Sequence, residues 1–476
     1  MSGYDVVIRR GGVVLPSGVV TCDVGIRGGR IAALGERLED GREEIGAEGR
    51  LVLPGGVDAH CHLNQPTGDG TVMADDFFSG SVSAACGGTT TVIPFACQMK
   101  GHSLGEAVDD YHHRAKGRSV IDYAFHLIVS DPTETVLVEE LPALIGQGYT
   151  SFKIYMTYDD LKLSDGEILD VLAVARANGA LTMIHAENAE CIAWLTRRLV
   201  TAGQTAPRFH AAARPAVVER EAAHRAISLA ELIDVPILLV HVSGGQAIEQ
   251  IRWARRRGLS IYAETCPQYL FLTEADLRLE GFEGAKFICS PPPRDRQDQE
   301  RVWEGLQDGL FNVFSSDHAP FRYQDPKGKM VRGADAPFLF VPNGIPGLET
   351  RLPLLFSAGV KAGRIDLARF VELTAANPAR MYGLYPRKGS ITIGADADLA
   401  IWDSEREVTI RNEDLHHNVD YTPYEGQVVR GWPEVVLSRG AVIVRDGQVL
   451  AKAGRGRFLT CGRPEPAQPR QSPAGR

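Results

Sequence analysis

Leu51-Val52-Leu53-Pro54-Gly55-Gly56-Val57-Asp58-Ala59-His60-Cys61-His62 places two histidines directly after an apolar run that carries glycine and proline. Alternate residues of a strand share a face, so His60 and His62 point the same way while Cys61 points the opposite way. Two imidazoles on one face can chelate one metal ion. This stretch therefore predicts the first strand of a sheet, with a candidate metal site at its end.

Apolar, β-branched runs alternate with helical patterns along the rest of the central region. Helical stretches such as Asp165–Asn178 and Val217–Leu232 separate the strand-like runs. Those runs are Thr89–Ile93, Tyr123–Val129, Ser151–Met156, Leu181–Ile184, Ile237–Val242, Ser260–Ala263 and Asn312–Phe314. A strand–helix alternation repeated about eight times predicts an α/β fold, a (β/α)8 TIM barrel.

Both ends of the chain have a different texture, in which short β-runs are separated by glycine-containing turns. We predict that residues 1–54 and 385–461 together form a second, small β-sandwich domain. The barrel is predicted over residues 55–384. Residues 462–476 are rich in Pro, Arg and Gln, and we expect them to form a flexible C-terminal tail.

Composition excludes several classes of protein. The 476 residues are 44% hydrophobic and 23% charged, which favours a large buried core over disorder. With a net charge of −9 and no basic patch, a nucleic-acid partner is not expected. No apolar run is long enough for a membrane span, and no signal-peptide pattern begins the sequence. The eight cysteines form no Cys-x-x-Cys pair, so a reducing, cytoplasmic location is expected.

Four further side chains lie in or at the ends of the predicted strands: Lys153, His185, His241 and Asp317. The neighbours of Lys153 are apolar and alternate to the opposite face, which points Lys153 into the barrel. A buried lysine must lose its charge or find a partner, so either a structural ion pair or a metal-bridging carbamate would satisfy it. Because the carboxyl ends of barrel strands share one mouth, these residues are expected to converge with the first histidine pair.

These motifs resemble the amidohydrolase superfamily and, within it, the dihydropyrimidinase and D-hydantoinase family. The stretches that carry the resemblance are Gly56–His62, Ser151–Lys153, Tyr158, His185–Asn188, His241–Ser243, Cys289–Pro292, Ser316–Pro320, Pro342–Gly344 and Tyr421–Gly426. The resemblance implies hydrolysis of a 5,6-dihydropyrimidine or a 5-substituted hydantoin to the N-carbamoyl amino acid. In that family a hydroxide that bridges two metal ions attacks the ring.

The resemblance also implies the role of each site residue. The implied ligands are His60, His62 and Asp317 for one metal, His185 and His241 for the second, and carbamylated Lys153 (N6-carboxylysine) as the bridge. Zinc is expected for both ions, with manganese or cobalt as alternatives, because the ligands are nitrogen and oxygen atoms. Asp317 is also expected to carry the proton to the leaving nitrogen. Tyr158 would hydrogen-bond the substrate carbonyl or the oxyanion formed from it. Ser290 and Asn343 would hold the ring amides, largely through their backbone.

Two alternative functions stay open at this point. Another cyclic amidohydrolase, of the allantoinase or dihydroorotase kind, would open a different ring, but Tyr158 and the Ser290 and Asn343 motifs favour the first interpretation. A non-catalytic scaffold related to dihydropyrimidinase would lack metal ligands, whereas here every ligand position holds a competent residue. The expected partner is a small cyclic ureide, and the family resemblance implies a homotetramer or a homodimer.

A serine-hydrolase interpretation rests on Gly101-His102-Ser103-Leu104-Gly105, which matches Gly-x-Ser-x-Gly. A nucleophile elbow needs its serine on a turn directly after a strand. Ser103 is followed three residues later by Glu106, which is the pattern of a helix capping box. We therefore predict that Ser103 begins a helix.

Overall fold

The computed structural model describes residues 3–67 and 70–468. Residues 1–2 of the predicted β-domain and residues 469–476 of the predicted tail lie outside the described residues. Among the described residues, no helix is both long enough and apolar enough to cross a lipid bilayer.

The strands and helices alternate through the central part of the chain. The strands are β1 Tyr4–Leu15, β2 Gly18–Arg27, β3 Arg30–Gly35, β4 Gly41–Gly46, β5 Leu51–Pro54, β6 Gly56–Asp58, β7 Thr89–Val92, β8 Phe95–Cys97, β9 Asp122–Tyr123, β10 His126–Ile128, β11 Ser151–Tyr155, β12 Leu181–His185, β13 Ile237–Leu239, β14 Ile261–Thr265, β15 Val313–Phe314, β16 Leu399–Thr409, β17 Val428–Ser438, β18 Ala441–Arg445 and β19 Gln448–Val449. The α-helices are α1 Phe77–Cys86, α2 Leu104–Ala115, α3 Leu141–Gly146, α4 Asp165–Asn178, α5 Ala189–Thr201, α6 Phe209–Ala213, α7 Ala216–Ile233, α8 Gly245–Arg256, α9 Gln268–Phe271, α10 Arg296–Gln307, α11 Arg351–Leu355, α12 Leu367–Val371 and α13 Asn377–Met381.

The central strands pair in parallel and curl into a ring. One sheet runs in the order β15-β14-β13-β12-β11-β10-β8 and a second in the order β6-β7-β9. Because β7 leads into β8 and β9 into β10, each of these pairs occupies a single strand position. The ring closes where Asp317 N donates to His60 O (2.9 Å) and Ser316 N to Asp58 Oδ1 (3.2 Å). The predicted barrel fold is confirmed by this curled parallel sheet.

The ends of the chain meet in a separate sheet. Among the described residues its order is β19-β18-β17-β16-β5-β1-β2-β3, and β4 pairs in parallel with β1. The antiparallel pairing of β5 with β16, with Leu53 opposite Ala400, joins the amino-terminal strands to the carboxy-terminal ones. Since β5 leads directly into β6, this sheet lies at the start of the barrel. The separate β-domain is thereby confirmed, while the exact domain boundaries stay a prediction.

The faces of the barrel strands separate the apolar core from the polar centre. On β11, Phe152 and Ile154 pack into the large buried cluster that includes helix residues such as Ile168 and Leu172. Lys153 between them has the opposite orientation and contacts His60 inside the ring. This alternation is the strand geometry that the sequence pattern predicts.

Ser103 caps helix α2 as expected. Its Oγ accepts from Glu106 N (3.1 Å), while Ser103 N donates to Glu106 Oε2 (3.3 Å). Both halves of the capping box are present, so the Gly-x-Ser-x-Gly match is a helix start.

A buried lysine, Lys388, joins the barrel to the segment that leads into the end sheet. Lys388 Nζ lies 2.8 Å from Asp122 Oδ2 of β9, 3.0 Å from Asp396 Oδ2 and 2.5 Å from Asp398 Oδ2.

Removing one partner of a buried ion pair leaves uncompensated charge, which costs about 3–5 kcal/mol. We expect Lys388→Met to lower the free energy of unfolding by about this amount, measured by urea denaturation. Lys361→Met, which breaks a more exposed pair with Glu405, should cost less than about 1 kcal/mol; equal losses in the two variants would contradict the prediction.

Candidate active site

Six buried or nearly buried side chains meet at one mouth of the barrel. They come from the carboxyl ends of five strand positions, since the first pair follows β6, the lysine lies on β11, and the others end or follow β12, β13 and β15. The six are His60, His62, Lys153, His185, His241 and Asp317. The structure therefore brings together every metal ligand named from the sequence, at the face where barrel enzymes build their active sites.

The first half of the cluster surrounds Asp317. Its Oδ1 lies 3.1 Å from His60 Nε2 and 3.3 Å from His62 Nε2. Lys153 Nζ lies 2.8 Å from the same nitrogen of His60. Two imidazoles, one carboxylate and one amine are thus arranged around a common point.

The second half of the cluster is a pair of histidines. His241 Nε2 lies 2.9 Å from His185 Nδ1, and the two rings are 4.4 Å apart between centroids. The other ring nitrogen of His241 is buried and has no hydrogen-bond partner. The His241 ring lies 5.5 Å from the His60 ring, so the two halves adjoin.

Three side chains that the sequence analysis did not single out orient these histidines. His60 Nδ1 lies 2.6 Å from Glu264 Oε1, and His62 Nδ1 lies 2.6 Å from Gln65 Oε1. His185 Nε2 lies 2.8 Å from Glu187 Oε2. Metal-binding histidines usually direct their second ring nitrogen at such an acceptor, which fixes the tautomer and the ring orientation.

The donor set fits a divalent cation. Ligand atoms of His60, His241 and Asp317 lie within 4.8 Å of one another. Most of the imidazoles have one nitrogen held by an outer acceptor and the other turned toward the centre, while His241 has a nitrogen without any partner. Nitrogen and oxygen donors without a thiolate suit zinc, manganese or cobalt. The structure therefore contains a candidate metal site at the barrel mouth.

A second cluster of potential ligands, formed by Cys86, Glu349 and His416, differs in this respect. His416 Nδ1 lies 3.0 Å from Glu349 Oε1, and its Nε2 lies 3.0 Å from Gly447 O. Because both nitrogens of this imidazole are committed to protein oxygens, we interpret the cluster as a hydrogen-bonded pair rather than as a metal site.

Burial and neighbouring charge set the protonation of the cluster. Burial lowers the pKa of Lys153 to about 8, against the opposing attraction of Asp317. Burial also lowers the pKa values of His185 and His241, which favours the neutral imidazole that binds metal. Burial alone would raise the pKa of Asp317, but the adjacent His60 holds it well below its usual range. The site thus combines the neutral imidazoles of His185 and His241 with the ionised carboxylate of Asp317. Against the effects of burial and of Lys153, the carboxylates of Glu264 and Asp317 raise the pKa of His60.

The backbone lies in the left-handed region at two residues of the cluster and at Tyr158, which follows β11. The φ angles are 39° at His241, 48° at Asp317 and 68° at Tyr158. Residues other than glycine adopt this backbone region at a cost in free energy, and such residues cluster at functional sites. The surrounding packing therefore maintains an unfavourable backbone at three residues of the site.

Of the three residues implied to contact substrate, Tyr158 lies beside His185, and Asn343 and Ser290 act on the Tyr158 phenol. Tyr158 follows β11 on a loop, and its ring is 5.4 Å from the His185 ring. Asn343 Nδ2 donates to the Tyr158 hydroxyl at 3.2 Å. Burial raises the pKa of Tyr158, while Arg214, Ser290 and Asn343 lower it in part. The phenol is therefore protonated and can donate a hydrogen bond.

Comparisons with known proteins agree with this geometry. The model of the amidohydrolase family matches residues 51–443. The chain belongs to the amidohydrolase family. It is 45% identical over 455 residues to a D-hydantoinase of Geobacillus stearothermophilus, covering 95% of each chain. It is 43% identical over 456 residues to a D-hydantoinase of Ralstonia pickettii, covering 96% of this chain and 98% of that one.

Solved structures extend the likeness of this amidohydrolase to three dimensions. A crystal structure of dihydropyrimidinase from Brevibacillus agri superposes with a TM-score of 0.93 at 42% identity, over 96% of this chain and 99% of that chain. The expectation of an enzyme of the cyclic amidohydrolase class is thereby confirmed. The roles of the individual site residues stay predictions.

Proposed function

We propose that this amidohydrolase hydrolyses the ring of a 5-substituted hydantoin or a 5,6-dihydropyrimidine to the N-carbamoyl amino acid. Water adds across one ring amide, so the carbonyl carbon becomes a carboxylate and the nitrogen leaves as part of the carbamoyl group. The observation that carries the proposal is that His60 Nε2 contacts both Lys153 and Asp317, next to the His185–His241 pair. The D-hydantoinase names of the similar proteins support the choice of ring.

The proposed site holds two divalent metal ions, zinc by preference and manganese or cobalt as alternatives. His60, His62 and Asp317 would hold one ion, and His185 with His241 would hold the other. Lys153 would bridge them after its neutral amine adds carbon dioxide, which forms an N–C bond and releases one proton. The bound ions would supply a water activated at neutral pH and positive charge beside the developing oxyanion.

The protein side chains would divide the remaining work. Asp317 is ionised beside two imidazoles, so it can accept a proton and return it to the leaving ring nitrogen. The protonated phenol of Tyr158 can donate to the oxyanion. Ser290 and Asn343, which both neighbour that phenol, would hold the ring amides.

The test combines metal analysis with ring-opening rates. We expect about two divalent ions per chain. We also expect turnover of 5-substituted hydantoins and of dihydrouracil, measured as release of the N-carbamoyl product. If allantoin or dihydroorotate were opened faster than these rings, the proposed substrate class would be wrong. Failure on every ring, with no metal bound, would support a non-catalytic scaffold.

Tyr158→Phe tests the oxyanion role. Removing one oxyanion donor lowers kcat by about 10²–10³-fold in other hydrolases, and we expect a loss of that size here. The metal content should stay unchanged because Tyr158 is not among the proposed ligands. Steady-state kinetics with elemental analysis measures both. Tyr385→Phe, outside the site, is the control; an unchanged kcat in Tyr158→Phe would remove the proposed role.

We also propose that the chain assembles into a homotetramer or a homodimer. The proposal rests on the family to which the chain belongs, since closed symmetric assemblies are the rule among soluble oligomers. Light scattering coupled to size-exclusion chromatography measures the number of subunits directly. A monomer at micromolar concentration would overturn it.

A further inference from the structure

Lys329 is a buried lysine outside the metal cluster, and its side chain contacts two backbone carbonyls. The residue is 1% exposed. Its Nζ donates to Ile288 O at 2.9 Å and to Pro342 O at 2.7 Å. The two acceptors are far apart in sequence, so one amine joins two separate segments of the chain.

The surroundings of Lys329 contain no compensating carboxylate. None of the described acidic side chains forms an ion pair with it, and burial lowers its pKa to about 7, opposed only by Cys289. Burying an amine in this way costs free energy that two hydrogen bonds to neutral carbonyls recover only in part. A methionine of similar length would fill the same space without that cost. The amine is therefore present for the contacts it makes.

The first of the two segments, residues 288–291, contains Ser290. It lies between β14 and α10 and belongs to no strand or helix. Its carbonyls are held by buried side chains from elsewhere: Lys329 at residue 288, His210 at residue 289 (2.9 Å) and Tyr269 at residue 291 (2.9 Å). Side-chain contacts rather than a β-ladder thus decide where Ser290 lies.

The second segment, residues 342–344, contains Asn343. Gly344 N donates to Ile288 O at 3.0 Å, so this carbonyl accepts from both Gly344 and Lys329. Gly344 has φ 149°, and a Cβ there would come within 2.5 Å of Ala319 Cβ. The segment is therefore pressed between the residues that follow Asp317 and the Ser290 segment.

The backbone of Lys329 is tied to the loop that precedes it. Lys329 N donates to Arg322 O at 2.8 Å, which closes the loop that precedes it. Gly328 approaches the same carbonyl so closely that a Cβ would meet the oxygen at 2.1 Å. The loop thus presents the lysine at a defined depth between the two segments.

We propose that Lys329 is a positioning residue that sets the separation of the Ser290 and Asn343 segments, and thereby the fit of the substrate ring. The inference rests on the proposed function, in which Ser290 and Asn343 hold the ring amides. In this proposal Lys329 affects ring binding through the two segments, without contacting the ring or the proposed metal ligands.

Lys329→Met separates positioning from a general structural role. Small misplacement of binding groups has large kinetic effects, so we expect KM to rise about tenfold or more. The value of kcat should change less than about threefold because the proposed metal and proton-transfer groups are untouched. The rise should be similar for dihydrouracil and for a 5-substituted hydantoin, since the ring amides are common to both. Metal content should equal that of the wild type.

Two further variants complete the test. Lys327→Met makes the same change at an exposed position of the same loop and should leave KM unchanged. Lys329→Gln keeps an N–H donor on a shorter chain, so its KM should rise less than that of the methionine variant; it also carries the test if Lys329→Met does not fold.

An unchanged KM in both Lys329 variants would overturn the inference, and so would a parallel loss of kcat, metal and thermal stability. A wild-type enzyme that opens no ring would instead overturn the proposed function.

Discussion

Lys153→Ala is expected to lower kcat/KM for ring opening by about 10³-fold or more, because the proposed metal ions would supply several kcal/mol of transition-state stabilisation. Lys153 Nζ lies 2.8 Å from His60 Nε2 at the centre of the cluster, and no other lysine among the described residues forms such a contact. Without the bridge we expect loss of at least the ion held by His185 and His241. Elemental analysis and steady-state kinetics measure the two effects separately.

Controls for Lys153 distinguish the bridge from mere charge. Lys153→Arg keeps a cation but cannot form the carbamate, so it should be as inactive as the alanine variant. Lys116→Ala, at an exposed site after α2, should behave as the wild type. Two bound metals and full activity in Lys153→Ala would show that the carbamate assignment is wrong. Intact-mass analysis of the native enzyme should also detect the mass of one added carbon dioxide.

Asp317→Asn is expected to lower kcat by about 10³-fold, since a general base contributes about 10²–10⁴-fold and this carboxylate is also a proposed ligand. The amide keeps the shape of the side chain but carries no charge and accepts no proton at neutral pH. Asparagine tolerates the left-handed backbone, so the φ of 48° at this position does not oppose the substitution. We expect the variant to fold and to bind less metal.

Asp234→Asn is a matched control for this substitution. Asp234 ends α7 with φ 56°, the same backbone region, and its side chain is exposed. The control should retain the activity and metal content of the wild type. Equal activity of Asp317→Asn and Asp234→Asn would remove Asp317 from the reaction.

The periodicity of the chain was sufficient for the fold. The helix predicted over Asp165–Asn178 has those bounds in the structure. Strand positions were less regular, because the predicted run Tyr123–Val129 is interrupted and forms β9 and β10. A side chain that faces the barrel centre is detectable from alternation alone, so the sequence pattern predicts that Lys153 lies inside the barrel.

The histidines of the candidate metal site and Asp317 are predictable from the sequence because each ends or closely follows an apolar run, whereas their orienting partners are not. Glu264 is the penultimate residue of β14 and stands out as a carboxylate in an apolar strand. Gln65 and Glu187 lie on loops, where a polar residue is ordinary. Lys329 carries no local signal at all, since its acceptors are backbone carbonyls that any sequence would provide.

The barrel, the end sheet and the candidate residues at the mouth are predictable from the sequence, because strand alternation and short spacings act over a few residues. The folded chain alone shows which nitrogen of each histidine faces the centre and how the Ser290 and Asn343 segments are held. Those choices depend on contacts between residues far apart in the chain, such as His60 with Glu264 and Lys329 with Ile288. A local sequence pattern cannot predict such contacts, because they exist only in the folded chain.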